Sequence, residues 1–161
     1  NRPYRFSLSK NDFIQILDNN IFICHNLLFG IPFSDNSIDY FYSSHMIGFS
    51  FPKNDSIFVL NEVFRKLKPG GKIRLSILDG EYYWNERNHI DKKNKLFNHN
   101  NDNNCFSYIE IKKILKEIGF SNIEQKTFQD GSFPDLSKLE DYSPELDEKL
   151  GSKTLYIEAT K

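Results

Sequence analysis

The sequence predicts an α/β fold in which a mostly parallel sheet lies between layers of helices. Residues 55–67 carry apolar side chains at helical spacing, and Pro69-Gly70-Gly71 then ends that helix. Residues 72–78 alternate apolar with polar side chains, which predicts a strand with one better-buried face. Helix, tight glycine turn and strand in this order are typical of an α/β crossover. A chain of 161 residues fits a single domain with one core.

Three further elements are predicted before this unit. Ser9-Lys10-Asn11-Asp12 has capping-box spacing, and the apolar residues that follow it predict a short helix over 10–18. The apolar run 21–24 is too short for a helix and predicts a buried strand. A second strand, rich in isoleucine and aromatic residues, is predicted over 37–42.

The second half of the chain predicts one long loop, one helix and two strands. Residues 81–105 are polar and asparagine-rich without a sustained period, so we interpret them as a long loop that covers a site as a lid. A helix is predicted over 107–118, with a serine cap at its start and a glycine after its end. The segments 123–128 and 154–159 predict strands.

Composition excludes several classes of protein. The chain has 21 basic and 22 acidic residues, so no strong field attracts nucleic acid or an anionic membrane. It has no apolar run of the roughly 20 residues that span a bilayer, and no secretory signal pattern, so we expect a soluble cytoplasmic protein. Cys24 and Cys105 lack CxxC partners, and His89 and His99 add no common ligand spacing. We therefore predict no disulfide and no metal site.

Two separated stretches resemble a known family. Residues 31–39, I-P-F-S-D-N-S-I-D, resemble the "LPF-x-D-x-S-F-D" segment of class I S-adenosylmethionine-dependent methyltransferases. Residues 61–72, N-E-V-F-R-K-L-K-P-G-G-K, resemble the "E-x-x-R-V-L-K-P-G-G" segment of the same family. The resemblance covers roughly residues 24–161. Features of the tail are similar to a bacterial subgroup of type 11 methyltransferases that often occurs with sugar and cell-surface polysaccharide genes; they lie at 118–120, 133–136 and 155–159.

The resemblance implies a three-layer Rossmann-like fold. Its seven-stranded sheet has a parallel body and an antiparallel last strand. It also implies S-adenosylmethionine as the cofactor and a small molecule or a glycan as the methyl acceptor. The sequence does not indicate the acceptor atom or the oligomeric state.

The candidate site lies at the carboxyl ends of the predicted strands. In open α/β sheets ligands bind in the crevice outside these ends. By resemblance, Asn26 and Leu27 frame the adenine of the cofactor. The residues after the strand 37–42 would border the methionine half of the cofactor and the incoming substrate; they are Ser43, Ser44, His45 and Met46.

His45 is the candidate catalytic base. A neutral imidazole can accept a hydroxyl proton near pH 7. Asp79, just past the strand 72–78, is the second candidate, and its expected role is to orient the substrate. The alternatives are a hydrogen-bonded structural histidine, and serines that only terminate the strand. Trp84, with Tyr82 and Tyr83, either forms a sugar-stacking wall beside the crevice or anchors the long loop to the core.

The sequence departs from the family pattern in two places. The Gly-rich turn that follows the first strand in the family is missing. Either the chain starts downstream of it, or residues 4–8 form a first strand without the glycines. Relatives usually continue with an acidic residue and a second histidine where this chain has Gly48 and Phe49. The rival hypotheses are a non-catalytic methyltransferase-like domain for assembly or partner binding, and a nucleotide-sugar-binding domain.

Overall fold

The structure, a computed structural model, describes residues 13–17, 20–86, 104–140, 143–150 and 152–161. Within these ranges it contains six strands and five α-helices. In chain order they are β1 (Phe13–Leu17), β2 (Asn20–Cys24), β3 (Ile38–Ser44), α1 (Lys53–Lys66), β4 (Leu67–Leu78), α2 (Gly80–Glu86), α3 (Tyr108–Ile118), β5 (Ser121–Lys126), α4 (Pro134–Ser137), α5 (Pro144–Leu150) and β6 (Thr154–Thr160).

Four of these strands form one sheet, in the order β3-β4-β6-β5. β3 runs parallel to β4, whereas β6 is antiparallel to both of its neighbours, β4 and β5. The predicted mixed α/β fold, with an antiparallel last strand, is therefore confirmed. Because β3, β4 and β5 point the same way, their carboxyl ends lie at the same edge of the sheet.

The two faces of this sheet differ in chemistry. On one face Ile73, Leu75 and Ile77 of β4 join the apolar core that also contains side chains of α1 and α3. On the other face Arg74 and Ser76 are buried with one carboxylate and one backbone carbonyl from the segment between β5 and β6. The alternation of β4 thus separates an apolar layer from a polar layer, and both are buried.

The predicted helix over 10–18 is wrong for the residues that the structure describes. Residues 13–17 form β1, which pairs antiparallel with β2 from Phe13 opposite Cys24 to Leu17 opposite Asn20. A helix of nine residues is marginal by itself, whereas a paired strand satisfies its backbone groups through its neighbour. The predicted strand over 21–24 is confirmed as β2, but its predicted burial is wrong, because Ile21 is 44% and Phe22 53% exposed.

The glycine turn after α1 lies inside β4. Ile38 of β3 pairs with Leu67, but Tyr40, two residues later, pairs with Lys72, so the residues between Leu67 and Lys72 bulge out of the ladder. Gly70 donates its N–H to the carbonyl of Lys161 at 3.0 Å, and the Lys161 N–H donates to the Gly71 carbonyl at 2.9 Å. The bulge is therefore fastened to the end of the chain beyond β6.

The predicted long loop over 81–105 begins as a helix, α2, and ends close to where it started. Phe106 forms an isolated bridge with Asp79, and its carbonyl accepts the Gly80 N–H at 3.0 Å. Residues 87–103 lie outside the described part of the chain, as do His89 and His99. Both ends of the loop are thus held beside the carboxyl end of β4.

The predicted caps of α3 are confirmed. The Ser107 hydroxyl accepts the Glu110 N–H at 3.2 Å, and Gly119 ends the helix in the left-handed region at φ +120°. A Cβ atom at Gly119 would lie 2.8 Å from the ring of Phe64. Gly119 is therefore required both for its backbone conformation and for the close approach of that ring.

We expect Gly119→Ala to destabilise the protein by about 2–4 kcal/mol, because left-handed strain and overpacking against Phe64 add together. Gly70→Ala is the matched control, since Gly70 also has a positive φ, +77°, but its Cβ would meet nothing within 4 Å. It should cost only about 1–2 kcal/mol. Urea unfolding of both variants measures the difference, and equal losses would contradict the packing role of Phe64.

Candidate functional site

The carboxyl end of β3 places three polar side chains in different surroundings. Ser43 is 4% exposed, and its hydroxyl has no hydrogen-bond partner among the described residues. Ser44 is exposed, and His45 is partly buried with a left-handed backbone at φ +51°. The N–H of His45 still donates to the Ser76 carbonyl of β4 at 2.8 Å. A buried hydroxyl without a partner is uncommon in folded proteins, which makes Ser43 a candidate for contact with a bound polar group.

Both ring nitrogens of His45 have hydroxyl partners. Nδ1 lies 3.1 Å from Oγ of Ser44, and Nε2 lies 3.1 Å from Oγ1 of Thr154 on β6. Burial lowers the pKa of His45 below its ordinary 6.5, and the negative charge of Asp147 opposes this effect. The imidazole is therefore neutral near pH 7 and can accept a proton.

Asp147 and Thr154 are contacts of this site that the sequence did not predict. Asp147 is buried on α5 and accepts hydrogen bonds from the hydroxyls of Thr154 and Ser152 and from the Thr154 N–H. In the sequence Asp147 is one of several acidic residues in a polar helix, which resembles a solvated surface. Only the pairing of β6 in the sheet places Thr154 within reach of His45.

Asp79 lies at the carboxyl end of β4, as predicted, and caps α2. Its Oδ1 accepts the N–H groups of Glu81 at 3.0 Å and Tyr82 at 3.3 Å, and its Oδ2 lies 3.6 Å from Nζ of Lys153. These contacts give Asp79 a structural role at the start of the long loop. Its role toward a substrate stays a prediction.

Asn26 and Leu27 lie in the short turn after β2. The side-chain oxygen of Asn26 accepts the Leu28 N–H at 3.0 Å, and the ring of His25 lies 2.7 Å from the Gly30 carbonyl. Leu27 lines a cavity of about 180 Å³ whose other walls include Ile23 of β2 and Phe41 of β3.

This apolar cavity is smaller than the roughly 300–1,000 Å³ of pockets that hold whole small molecules. A cavity of this size accommodates a single ring rather than a complete nucleoside cofactor. Phe41 and Ser43 are two positions apart, so their side chains lie on the same face of β3. The cavity and the hydroxyl of Ser43 therefore lie along one face of this strand. The described residues thus fit part of a nucleoside ligand.

Met46 and Gly48 belong to an irregular turn after His45. Met46 packs against the apolar core, and the Gly48 N–H donates to the buried hydroxyl of Ser56 at 3.2 Å. A Cβ atom at Gly48 would lie 2.9 Å from the ring of Phe106. Gly48, which departs from the family pattern, therefore has a packing reason.

A second cavity, of about 310 Å³, lies between α1 and the turn that joins β2 to β3. Its walls include the backbone of Gly30 and the charged side chains of Glu62 and Arg65. Glu62 accepts the Ile31 N–H at 3.3 Å and pairs with Arg65 at 2.7 Å. These contacts hold the turn between β2 and β3 against α1, which the sequence did not predict.

Trp84 lies on α2, and its side chain is 41% exposed. Nζ of Lys53 lies 5.4 Å from its ring centre. The two predicted roles, a sugar-stacking wall and an anchor of the long loop, both stay predictions.

In the described part of the chain no three His, Cys, Asp or Glu side chains are grouped so that they could hold a metal ion. None of the described helices is long and apolar enough to cross a membrane.

The methyltransferase domain family matches residues 9–75. This segment is less than half of the chain and includes both candidate site regions, at Asn26 and at Ser43–His45. An uncharacterized protein of Methanocaldococcus jannaschii is 33% identical over 95 residues, which cover 58% of this chain and 43% of that protein.

Solved structures show the same fold. An S-adenosylmethionine-dependent methyltransferase of Thermotoga maritima, described as a possible histamine N-methyltransferase, matches with a TM-score of 0.53 at 23% identity, over 83% of this chain and 61% of that one. Phosphoethanolamine N-methyltransferase 2 of Haemonchus contortus, bound to phosphomonomethylethanolamine and S-adenosylhomocysteine, also matches with a TM-score of 0.53 at 17% identity. This match covers 86% of this chain and 36% of that one. The chain therefore has the Rossmann-like fold of S-adenosylmethionine-dependent methyltransferases, and it spans about three fifths or less of these proteins.

Proposed function

We propose that this chain carries a methyltransferase domain that binds S-adenosylmethionine at the carboxyl ends of β2 and β3. The observation that carries the proposal is the family match over residues 9–75, because it includes both regions that the sequence assigned to the site. The methyltransferase fold of the solved structures supports it independently of that match.

The side chains at this edge divide into two groups. Asn26, Leu27 and the apolar cavity suit the adenine, while Ser43 offers a buried hydroxyl to the polar remainder of the cofactor. S-adenosylmethionine supplies an electrophilic methyl group on a sulfonium. The protein must then hold the acceptor in line with that methyl group and, where the acceptor carries a proton, remove it. His45 is the base that we assign to this step, and Met46 borders the same region.

The acceptor that we propose is a small molecule or a glycan. The sequence similarity to the type 11 subgroup points toward polysaccharide biosynthesis in the cytoplasm, and the net charge of −1 favours neither nucleic acid nor an anionic membrane. Two solved neighbours are described by an amine substrate, one as a possible histamine N-methyltransferase and the other as a phosphoethanolamine N-methyltransferase. We also propose residues 81–105 as a lid over the bound acceptor; the described residues that flank it, Gly80 and Phe106, lie beside the carboxyl end of β4.

A non-catalytic methyltransferase-like domain is the second candidate. Gly48 occupies a packing position rather than presenting a functional side chain. Such a domain would keep the fold for assembly or partner binding.

Calorimetric titration with S-adenosylmethionine and with S-adenosylhomocysteine distinguishes these two candidates. The methyltransferase proposal predicts saturable heat with one site per chain for both ligands, together with a rise in the thermal unfolding midpoint. Ser43→Val should weaken both affinities, whereas Ser34→Val, at an exposed turn, should change neither. No heat and no thermal shift at millimolar ligand would contradict cofactor binding by this chain.

A further inference from the structure

We propose that Thr154 and Asp147 are positioning residues for His45, and that they form with Ser44 a hydrogen-bonded relay. This relay, Ser44–His45–Thr154–Asp147, fixes which nitrogen of the imidazole accepts a proton. The role of the relay in catalysis rests on the proposed methyl transfer. The hydrogen bonds among its four side chains do not depend on that proposal.

The direction of the relay follows from Asp147. A carboxylate only accepts hydrogen bonds, and both of its oxygens are used here. Oδ1 accepts the hydroxyl of Thr154 at 3.0 Å and that of Ser152 at 2.8 Å, while Oδ2 accepts the Thr154 N–H at 2.8 Å. The Thr154 hydroxyl also hydrogen-bonds with the Tyr156 side chain, but a carboxylate is a stronger acceptor than a phenol. The hydroxyl hydrogen of Thr154 therefore points toward Asp147, and its oxygen is left as an acceptor.

This arrangement sets the tautomer of His45. Because Oγ1 of Thr154 accepts, the ring nitrogen 3.1 Å away, Nε2, must carry the hydrogen. Nδ1 is then the nitrogen with the lone pair, and the Ser44 hydroxyl, 3.1 Å away, donates to it. Ser44 is the exposed last residue of β3, so the basic nitrogen contacts a side chain at the edge of the sheet where the acceptor would bind.

Burial makes the relay effective. Asp147 and Thr154 are each 7% exposed, so water screens their interaction with the imidazole only weakly. The charge of Asp147 raises the pKa of His45 against the larger, opposite effect of burial. Burial first, and then the charges of Asp147 and Glu140, raise the pKa of the neighbouring Tyr156 hydroxyl. Asp147 is the charged group that acts on His45, and Tyr156 stays neutral beside it.

The backbone of His45 gives independent support. Its φ of +51° is uncommon for a residue with a side chain and costs energy unless the surroundings hold it. The contact with Thr154, 109 positions later in the chain, is one that ties the ring in place. His45 thus has a strained backbone at the end of β3, and a residue of a distant strand holds its ring. This combination is typical of a functional position.

The relay favours an acceptor that must lose a proton, namely a hydroxyl. The acceptor oxygen would take the place of the Ser44 oxygen at Nδ1 and pass its proton to that nitrogen. As this oxygen forms its bond to the methyl carbon, the carbon–sulfur bond breaks and its electron pair stays on sulfur. Asp147, acting through Thr154, would stabilise the imidazolium that results.

Nuclear magnetic resonance of the histidine rings tests the relay without any assay of activity. In protein labelled with ¹³C and ¹⁵N at histidine, the signal that His45→Gln removes identifies His45. Its nitrogen shifts should show a protonated Nε2 and a bare Nδ1 at neutral pH. Asp147→Asn should lower the pKa of His45 by on the order of one unit, because a nearby negative charge is lost. Thr154→Val should also lower it, because the hydrogen on Nε2 loses its acceptor. Thr154→Ser should restore the wild-type value.

The opposite tautomer in the wild-type protein would overturn the relay, even if no variant folded. An unchanged pKa of His45 in a folded Asp147→Asn variant would overturn it as well. The expected tautomer and pKa changes without binding of S-adenosylmethionine would support the relay and reject the proposed function. In these variants the rate of methyl transfer should fall at acid pH in step with the pKa of His45. If methyl transfer occurs but its pH profile does not follow that pKa, the relay has no part in the reaction.

Discussion

Arg74→Met is expected to lower the free energy of unfolding by about 3–5 kcal/mol, the range for removing one partner from a buried ion pair. Arg74 is fully buried, and it donates to Glu140 at 2.5 Å and to Glu158 at 2.8 Å. Burial opposes the charge of Arg74, but these two carboxylates outweigh it and raise the pKa of the guanidinium. Methionine fills similar space and leaves both carboxylates buried without their cation.

Arg65→Met is the matched control for this change. Arg65 also pairs with two carboxylates, at 2.6 Å and 2.7 Å, but half of its side chain is exposed. Surface pairs contribute less than about 1 kcal/mol, so this variant should unfold at nearly the wild-type urea concentration. Similar losses in both variants would contradict the idea that burial makes the Arg74 cluster important. A triple variant that adds Glu140→Gln and Glu158→Gln should recover part of the loss.

His45→Gln is expected to reduce kcat by about 10²- to 10⁴-fold, the usual contribution of a general base, with little change in affinity for S-adenosylhomocysteine. The measurement is turnover with an acceptor identified by screening hydroxyl-bearing small molecules and glycans. In the wild-type protein the neutral, basic form of His45 exists above its pKa, which lies below 6.5. Activity should therefore be lost as the pH falls through a value below 6.5, and this limb should be absent in the variant.

His25→Gln provides the contrast for this experiment. The ring of His25 contacts the Gly30 carbonyl and lines the cavity beside Leu27, so its loss should weaken cofactor binding and leave kcat at saturation nearly unchanged. If His45→Gln instead abolished cofactor binding, His45 would be a binding residue. An unchanged kcat would remove it as the base.

The long periodic elements could be predicted from the sequence because their signals are local. The apolar stripe of α1, the serine cap of α3 and the alternation in β4 each lie within one element. The helix expected over 10–18 failed because a short apolar segment fits both helix and strand. There the decision depends on pairing with β2, which lies outside the segment.

The sequence predicts where the candidate site residues lie along the strands, but not which side chains they contact. The sequence placed Ser43, His45 and Asp79 at the carboxyl ends of strands, and the structure agrees. It could not place Thr154 and Asp147 beside His45, because that contact depends on the order β3-β4-β6 in the sheet. Nor could it show that Asp79 caps α2, since the helix at the start of the long loop has no clear periodic signal.

The most direct test of the proposed site is a titration of isotope-labelled protein with S-adenosylhomocysteine, followed by amide chemical shifts. We expect the largest changes at Asn26 and Leu27 and over Ser43–Met46, with little change around the bulge between Leu67 and Lys72 at the opposite end of the sheet. That bulge lines a cavity of its own, of about 150 Å³. Shifts confined to the bulge, or no shifts at saturating ligand, would contradict a cofactor site at the carboxyl ends of β2 and β3.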